Sequence, residues 1–488
     1  MRVRLHAHPR AGRRRGVAHR AGAVAPALGA FLFLTPAAHA QGFGLTEIGT
    51  CAVARAGAVT GAPCEDASVV YWNPAAAASL PPGRQAYVGG SAIAVKGGFT
   101  QDVTGREFPG DVPVEFPPFV GATWTGGRTH AVSFGLAAYV PYGLTSQWGD
   151  DFIGRFAAQK ASLQTVYVQP NIAVELIPGR LAIGGGPILG YSRLELRQAL
   201  DAASLPVAGT PFTLAQFGVQ RETEFARLQV EGDAFGVGAN LGVHARLTNT
   251  ISVGARWLSQ VRFNYDGADA EFTPSPQAAD YVLVGGLPPA VPPGTTLAQL
   301  TQAQFQPGGA FGPGQTASTR IDHPSQFQVG VGYTGLRGTT ISADYQRTDW
   351  RSFYDLPVNF TTAAGQPSAL SRTLIEAYEP SDSYRASVEH KYRSGFAARL
   401  GFMFATTPAP DVTVTPLLPD MDRYDFSGGL AIPLGRLVLD AGYLRVETRG
   451  RRGRTGERPD LSLPAEQINN GWYALNANVF SLSLKARF

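Results

Sequence analysis

The chain has 488 residues, of which 44% are hydrophobic and 16% are charged, and its formal net charge at pH 7 is +4. Seven of its arginines lie within residues 1–40, so the remainder carries 34 basic against 37 acidic residues and is slightly acidic. The arginines of that remainder are scattered singly, which excludes the concentrated basic surface that nucleic acid binding requires. No nucleic acid partner is therefore expected.

Residues 1–40 have the composition of a secretory signal peptide. Basic residues come first, an apolar stretch runs from Ala21 to Thr35, and the small-residue pattern Ala38-His39-Ala40 follows. The short apolar core favours cleavage before Gln41 over retention as a membrane anchor. After residue 40 the chain has no run of 18 apolar residues, so no transmembrane helix is predicted.

Residues 41–81 form a second segment, which precedes the first predicted strand and does not alternate. This segment is rich in small residues and contains both cysteines of the protein, Cys51 and Cys64. An oxidising compartment favours a disulfide between them, with two buried free thiols as the alternative. The histidines after residue 40 lie singly and far apart in sequence, so neither a metal site nor a cofactor is predicted.

From residue 82 onward, apolar and polar side chains alternate along the chain. The clearest example is 251–266, where polar residues that include Arg256 and Arg262 share one face of an extended segment. The opposite face is apolar and consists of Ile251, Val253, Ala255, Trp257, Val261, Phe263 and Tyr265. A period of two places one face against an apolar medium and the other toward a polar interior. The C-terminus repeats the pattern and ends on Phe488, which resembles the signal for outer-membrane insertion.

The alternation predicts an all-β fold, a fourteen-stranded antiparallel transmembrane β-barrel over residues 82–488. Its predicted strands are 84–96, 116–125, 129–140, 164–176, 181–197, 228–247, 251–272, 318–334, 339–359, 382–392, 396–405, 424–432, 436–450 and 472–488. Six short and seven long connections alternate between these strands, as periplasmic turns and external loops do in such barrels. A half-buried soluble sheet would explain one such segment but not the recurrence.

Short blocks in residues 41–81 resemble the N-terminal hatch of the FadL family of outer-membrane transporters. The blocks are Gly42-Phe43-Gly44-Leu45, Ala54-Arg55-Ala56 with Gly57, Glu65-Asp66-Ala67 and Asn73-Pro74-Ala75. Later segments also look similar, namely Tyr142-Gly143-Leu144, Trp350 with Phe353, and Pro419 to Tyr424. The resemblance spans the chain after residue 40. It implies a fourteen-stranded barrel with a hatch in its lumen, and uptake of long-chain fatty acids or aromatic hydrocarbons.

The resemblance also implies a route for the hydrophobic compound. External loops capture it, the lumen binds it, the hatch moves, and the compound leaves laterally through the wall. An apolar path favours such a solute by ~25 cal/mol per Å² of apolar surface removed from water. By resemblance, Phe43 and the turn Asn73-Pro74-Ala75 form the gate, although the rigid proline also fits a purely structural role for that turn.

Two long loops, 198–227 and 273–317, match the loops that the family uses for its outer ligand groove. Both are apolar here, and the candidate ligand contacts in them are Leu205, Phe212, Phe217, Leu287, Phe305 and Phe311. Exposed apolar surface of this extent usually marks a binding site. Alternatively, the two loops pack on each other above the barrel.

Three arginines, Arg193, Arg256 and Arg262, are predicted to face the lumen, where an arginine pairs well with a carboxylate ligand. The alternative role is an ionic network between wall and hatch. Family members that take fatty acids are expected to carry a lysine shortly after the aromatic pair matching Trp350 and Phe353, but residues 354–357 read Tyr-Asp-Leu-Pro. This departure favours neutral hydrophobic substrates over fatty acids.

Two other functions compete with hydrophobic transport, namely a general diffusion porin and a barrel enzyme such as a lipase or protease. A porin would lack the forty-residue plug, and the chain has no Gly-x-Ser-x-Gly motif. No catalytic residues are therefore predicted, and the protein is not expected to be an enzyme. We expect a monomer in the outer membrane, in contact with membrane lipid and lipopolysaccharide after insertion by the barrel assembly machinery.

Overall fold

The computed structural model of the protein describes residues 42–102, 104–126, 132–207, 210–283, 291–453 and 471–488. The predicted signal peptide at residues 1–40 lies outside this range. No helix among the described residues is long and apolar enough to cross a membrane.

Residues 42–82, hereafter the N-terminal segment, contain helices α1 (Thr50–Val53) and α2 (Val69–Trp72) and a 3-10 helix at Pro74–Ser79. Helices this short are unstable alone in water, so tertiary packing must hold them. All of their residues except Ser79 are buried. A disulfide joins Cys51 to Cys64, and closing a loop of this size stabilises the folded chain by about 3 kcal/mol.

The rest of the chain forms one antiparallel sheet, with helices α3 (Gln277–Asp280) and α4 (Leu297–Thr301) in a long loop. The described strands are β1 (Gly83–Gln101), β2 (Glu107–Pro109), β3 (Pro118–Gly126), β4 (Val132–Tyr139), β5 (Gly143–Gln147), β6 (Lys160–Ile177), β7 (Leu181–Asp201), β8 (Glu224–Arg246), β9 (Ile251–Leu258), β10 (Val261–Pro274), β11 (Gln315–His323), β12 (Ser325–Leu336), β13 (Thr339–Asp349), β14 (Asp355–Thr361), β15 (Arg372–Ile375), β16 (Ser381–Lys391), β17 (Ala397–Ala405), β18 (Arg423–Leu434), β19 (Leu437–Thr448), β20 (Arg451–Gly453) and β21 (Gly471–Arg487).

The hydrogen-bonded pairing of these segments shows that they form fourteen wall strands, seven of which are interrupted. The interrupted strands consist of β2 with β3, β4 with β5, β9 with β10, β11 with β12, β13 with β14, β15 with β16, and β19 with β20. The barrel closes where β1 pairs with β21, from Gln85 opposite Arg487 to Gln101 opposite Gly471. The predicted fourteen-stranded antiparallel barrel is therefore confirmed.

Near the short turns, the wall is apolar outside and polar inside. Val88 and Leu482 point outward and are 54% and 58% exposed, whereas Asn240, Gln328 and Asp425 point inward and are fully buried. This is the pattern of a barrel whose outer face meets lipid.

Near the long loops, the polarity of the wall is reversed. Leu163, Leu194 and Phe263 point inward and are buried. Arg193 and Arg262 point outward, and their side chains are 61% and 55% exposed. This end of the barrel therefore has a polar exterior and an apolar lining.

The reversal corrects two sequence predictions, because neither Arg193 nor Arg262 faces the lumen. Arg193 pairs on the outer surface with Glu231 at 3.0 Å, and Arg262 pairs there with Asp322 at 2.9 Å. In the seventh wall strand the cause is the two-residue interruption at 259–260, after which the side chains of odd-numbered residues turn inward. The third predicted lumen arginine, Arg256, does lie inside and is buried.

Two other predicted strands are also broken. The prediction 318–334 contains Pro324, which has no N–H to donate and separates β11 from β12. The prediction 339–359 contains a 3-10 helix at Trp350–Phe353, which separates β13 from β14. In the opposite sense, the predicted loop 141–163 contains the ordered strand β5.

We expect Arg256→Met to lower the free energy of unfolding by about 2 kcal/mol, because the buried guanidinium donates to Gln326 and stacks 4.4 Å from the Tyr71 ring centroid. Arg262→Met is the matched control and should cost less, about 1 kcal/mol at most, since the Arg262 side chain is 55% exposed and the Gln260 amide still donates to its partner Asp322 at 2.9 Å. Urea unfolding in detergent micelles measures both. Equal losses would contradict the assignment of the two arginines to opposite faces.

Candidate functional site: two cavities at a break in the wall

The third wall strand is interrupted, and a gap in the pairing of the wall results. β4 ends at Tyr139, β5 starts at Gly143, and Pro141 between them has no N–H to donate. In the described chain, β5 forms a ladder with β6 but none with β3. The segment opposite β5, residues 111–117, contains two more prolines and meets β5 at its end, where the N–H of Asp111 donates to the oxygen of Gln147 at 2.8 Å.

The start of the N-terminal segment supplies partners for the broken strand. The N–H of Leu45 donates to the carbonyl of Pro141 at 2.9 Å, and the N–H of Gly143 donates to the carbonyl of Phe43 at 3.0 Å. Gly44 and Tyr142 thereby form an isolated antiparallel bridge. The N-terminal segment thus acts as a short local strand at this position in the wall.

The side chain of Phe43 is buried in a cage of aromatic rings. Its ring centroid lies 4.7 Å from Trp350, 5.3 Å from Phe353, 5.6 Å from His323 and 5.9 Å from Tyr142. These four rings come from the interruptions of the third, eighth and ninth wall strands. Three separate breaks in the wall therefore converge on one side chain of the N-terminal segment.

A small apolar space, the inner cavity, lies beside Phe43 and has a volume of about 30 Å³. Its lining has one polar residue, Ser162, and no charged side chain; the other lining residues are Phe43, Leu144, Ala161, Leu163, Leu194, Leu196, Ile321, Phe353, Leu356, Leu417 and Leu418. The space matches the volume of about one water molecule. A larger molecule would fit there only if a lining side chain moved.

A larger space, the wall cavity, has a volume of about 450 Å³ and lies at the gap beside β5. Gly42 and Met421 line its inner side, and Phe116, which is 70% exposed, lies at its outer rim. Three side chains, Leu144, Leu163 and Leu418, line both cavities. The two spaces are therefore adjacent, with these three side chains between them, and the wall cavity reaches the outer face at Phe116.

Three charged side chains line the wall cavity, namely Glu115, Asp420 and Arg423. Arg423 forms an ion pair with the buried Asp425 at 3.2 Å and donates to the hydroxyl of Thr46 at 3.2 Å. Asp420 accepts a hydrogen bond from Thr407, and burial raises the pKa of its carboxyl to about 6. Glu115 accepts a hydrogen bond from the Thr145 hydroxyl at 2.8 Å.

The remainder of the N-terminal segment is bound to the wall by buried polar contacts. Arg55 donates to the hydroxyls of Ser342 and Ser387 at 2.8 and 3.0 Å. The Asp344 carboxylate accepts the N–H of Thr60 at 2.7 Å. Residues 50–80 are thus anchored through many side chains, whereas residues 43–45 are held by two backbone hydrogen bonds and the packing of one ring.

The predicted gate residues lie in two different places. Phe43 lies at the wall break, as described above. Asn73, Pro74 and Ala75 are buried against the inner wall, where the Asn73 amide donates to the carbonyls of Thr60 at 3.0 Å and of Val243 at 3.1 Å. These bonds favour the structural role for that turn.

The predicted loop contacts lie away from both cavities, and Leu287 is outside the described residues. Phe311 is buried and its ring lies 5.6 Å from that of Phe305, while Leu205 and Phe217 are half-buried against the same apolar cluster. Phe212 is 49% exposed. The N–H of Gln220 in the first loop donates to the Tyr281 hydroxyl in the second at 3.3 Å, which supports the alternative in which the loops contact each other. Their role in ligand capture stays a prediction.

Sequence reasoning missed the residues that form the wall cavity, above all Glu115, Leu144 and Leu163. One signal was available, since a proline inside an alternating segment marks an edge or a break in a strand. Pro141 and Pro324 both lie at such breaks. The position of Glu115 opposite Thr145 depends on residues 30 apart in sequence and had no local signal.

Residues 31–488 match the family described as outer membrane protein transport protein (OMPP1/FadL/TodX). A long-chain fatty acid transport protein of Escherichia coli O6:H1 is 24% identical over 417 residues, which cover 82% of this chain and 85% of that protein. A FadL homologue of Pseudomonas aeruginosa has a TM-score of 0.72 at 21% identity, over 92% of this chain and 100% of that structure. The toluene transporter TodX of Pseudomonas putida has a TM-score of 0.63 at 14% identity, again over 92% and 100%. The two structural matches show a shared fold.

We expect the free energy of unfolding to fall as pH rises from 4.5 to 7, because the carboxyl of Glu376 is buried. The N–H of Glu376 donates to the carbonyl of Tyr354 at 2.9 Å, next to the 3-10 helix at Trp350–Phe353. Burial raises the pKa of the Glu376 carboxyl from 4.5 to about 7. The folded protein therefore binds this proton more tightly than the unfolded chain, and ionisation costs at most about 3 kcal/mol.

Urea unfolding at pH 5 and pH 8 would measure this effect. Asp420 and Asp422 have raised pKa values of about 6 and about 7 and act in the same direction, so the difference between wild type and Glu376→Gln isolates Glu376. The variant should lose part of the pH dependence. An unchanged dependence would show that Glu376 does not titrate in this range.

Proposed function

Because the chain belongs to the outer membrane transport protein family OMPP1/FadL/TodX, whose members are transporters and not enzymes, we propose that it is a passive channel for neutral hydrophobic compounds with a lateral exit. Its location is the outer membrane, and its family transports hydrophobic compounds. The proposal adds the route and the substrate class. The observation that carries it is that Leu144, Leu163 and Leu418 line both cavities, so that the inner cavity lies directly beside the wall cavity.

The physical reason for a lateral route is the environment on either side of the N-terminal segment. Below the inner cavity, buried polar contacts such as those of Arg55 and Asp344 fill the lumen. A hydrophobic molecule would have to displace these contacts to go straight through. Through the wall cavity the molecule passes between apolar side chains into lipid. Its apolar surface stays out of water on this route, which favours it by ~25 cal/mol per Å² of buried apolar surface.

The gate in this proposal is the start of the N-terminal segment rather than the whole segment. A molecule larger than water can occupy the inner cavity only if Phe43 or another lining residue moves. Moving Phe43 would strain two hydrogen bonds, the one from the N–H of Gly143 to the Phe43 carbonyl and the one from the N–H of Leu45 to the Pro141 carbonyl. Ligand binding inside would thus loosen the wall at the gap, while the disulfide and the polar anchors hold residues 50–80 in place.

Three observations favour neutral compounds over fatty acids. The inner cavity has no charged lining residue. No lysine follows Phe353, where the sequence continues with Tyr354, Asp355, Leu356 and Pro357. Arg256, the predicted arginine that does face inward, bonds Gln326 and Tyr71 and lines neither cavity. The cation that lines this route, Arg423 in the wall cavity, is already paired with Asp425 at 3.2 Å.

Uptake of labelled toluene, labelled oleate and labelled glucose tests the proposed function in cells that lack their own hydrophobic-compound channel. We expect the protein to increase the initial rate for toluene and to leave the glucose rate at the level of the host cells. Faster oleate uptake would instead assign the protein to fatty acids. Glucose uptake alone would identify a general diffusion porin and end the proposal.

A tryptophan at the junction of the two cavities should block the route. We expect Leu144→Trp to lower toluene uptake by about tenfold or more, because residue 144 lines both cavities and the larger indole would fill the passage between them. Leu136→Trp adds the same volume on the outer face of the same wall strand, where Leu136 is 53% exposed, and should not slow uptake. Surface levels of both variants are compared by immunoblot. Normal uptake through the Leu144 variant would rule out this junction as the path.

A further inference from the structure

The outer rim of the wall cavity carries a negative charge that no cation of the cavity lining balances there. Arg423 lies on the inner side and is engaged by Asp425 and Thr46. Asp420 also lies on the inner side, next to Gly42. At the rim, the carboxylate of Glu115 is the charged group that lines the cavity. A molecule that leaves by this route must therefore pass a negative charge.

The backbone fixes Glu115 in this position. Its N–H donates to the carbonyl of Ile93 at 3.0 Å, and its carbonyl accepts the N–H of Ile93 at 2.8 Å, which ties residue 115 to β1. Its side chain extends the other way and accepts the Thr145 hydroxyl of β5 at 2.8 Å. The carboxylate therefore spans the gap between β1 and β5, beside the exposed ring of Phe116.

We propose that Glu115 is a specificity-determining residue that excludes anionic amphiphiles from the lateral exit and restricts the route to neutral hydrophobic compounds. This inference rests on the proposed lateral route and adds the residue that selects at its end. A carboxylate on the travelling molecule meets the half-buried Glu115 carboxylate at the rim of the wall cavity, where a dielectric below that of bulk water strengthens the repulsion between like charges. An uncharged molecule of the same length meets no such barrier.

The hydrogen bond between Glu115 and Thr145 must be separated from the charge of Glu115 in any test. That bond also closes the gap mechanically, so removing Glu115 altogether would change both the charge and the closure. Glu115→Gln separates them, because the amide oxygen still accepts from the Thr145 hydroxyl while the negative charge is lost. Thr145→Val does the converse, since it removes the hydrogen bond and keeps the charge.

Uptake of labelled decan-1-ol and labelled decanoate tests the inference, because the two probes have the same chain and differ in charge. Initial rates are measured in cells that lack their own hydrophobic-compound channel, and the rates of cells without this protein are subtracted. Wild type should take decan-1-ol much faster than decanoate. Glu115→Gln should raise decanoate uptake by about tenfold or more and leave decan-1-ol uptake within about twofold.

Two variants serve as controls. Glu107→Gln removes the same charge from an exposed residue of β2 that does not line the cavity, and it should leave both rates unchanged. Thr145→Val should not admit decanoate selectively. If Thr145→Val raises decanoate uptake as much as Glu115→Gln does, closure of the gap and not charge sets the selectivity, and the inference is overturned.

The remaining outcomes separate this inference from the proposed function. If wild type takes decan-1-ol and Glu115→Gln leaves decanoate uptake unchanged, the inference fails and the lateral route stands. The same holds if wild type takes both probes equally fast. If wild type takes neither probe above the level of the host cells, both the route and the inference fail.

Discussion

The structure depends on one constraint, that a backbone N–H or C=O facing lipid must find a partner within the protein. A barrel meets it by closing the ladder from β1 to β21, and each interruption of a wall strand creates groups that need another partner. At the break beside Pro141, the backbone of Phe43 and Leu45 provides that partner. The opening in the wall and its closure therefore use the same few hydrogen bonds.

The second feature that organises the site is the reversal of polarity along single strands. β7 places Ile183 and Leu189 outward near the short turns, and Arg193 outward near the long loops, where Leu194 points in. The outer face follows its surroundings from lipid to a polar exterior. The inner face changes in the opposite direction, so the barrel is polar where the N-terminal segment is anchored and apolar where the inner cavity lies.

The sequence predicted the barrel well, because strand number depends on local alternation and on the lengths of connections. It did not predict which way a face points, since alternation shows only which residues share a face, and Arg193 was misplaced for that reason. Arg262 was misplaced because the interruption at 259–260 shifts the alternation within its wall strand. Phe43 was identified by resemblance and does lie at the break in the wall. The wall cavity could not be predicted, because Glu115, Leu144 and Leu418 meet there through pairing between distant segments.

The contacts of the N-terminal segment also constrain the order in which the protein can be assembled. Thr50 bonds Ser481 in the last strand at 2.8 Å, across 431 residues of sequence, and Arg55 bonds Ser387 across 332. These two hydrogen bonds cannot form until the tenth and the last wall strands are in place. The disulfide between Cys51 and Cys64 spans only 13 positions and does not depend on those strands. The N-terminal loop can therefore be closed covalently before the barrel closes around it.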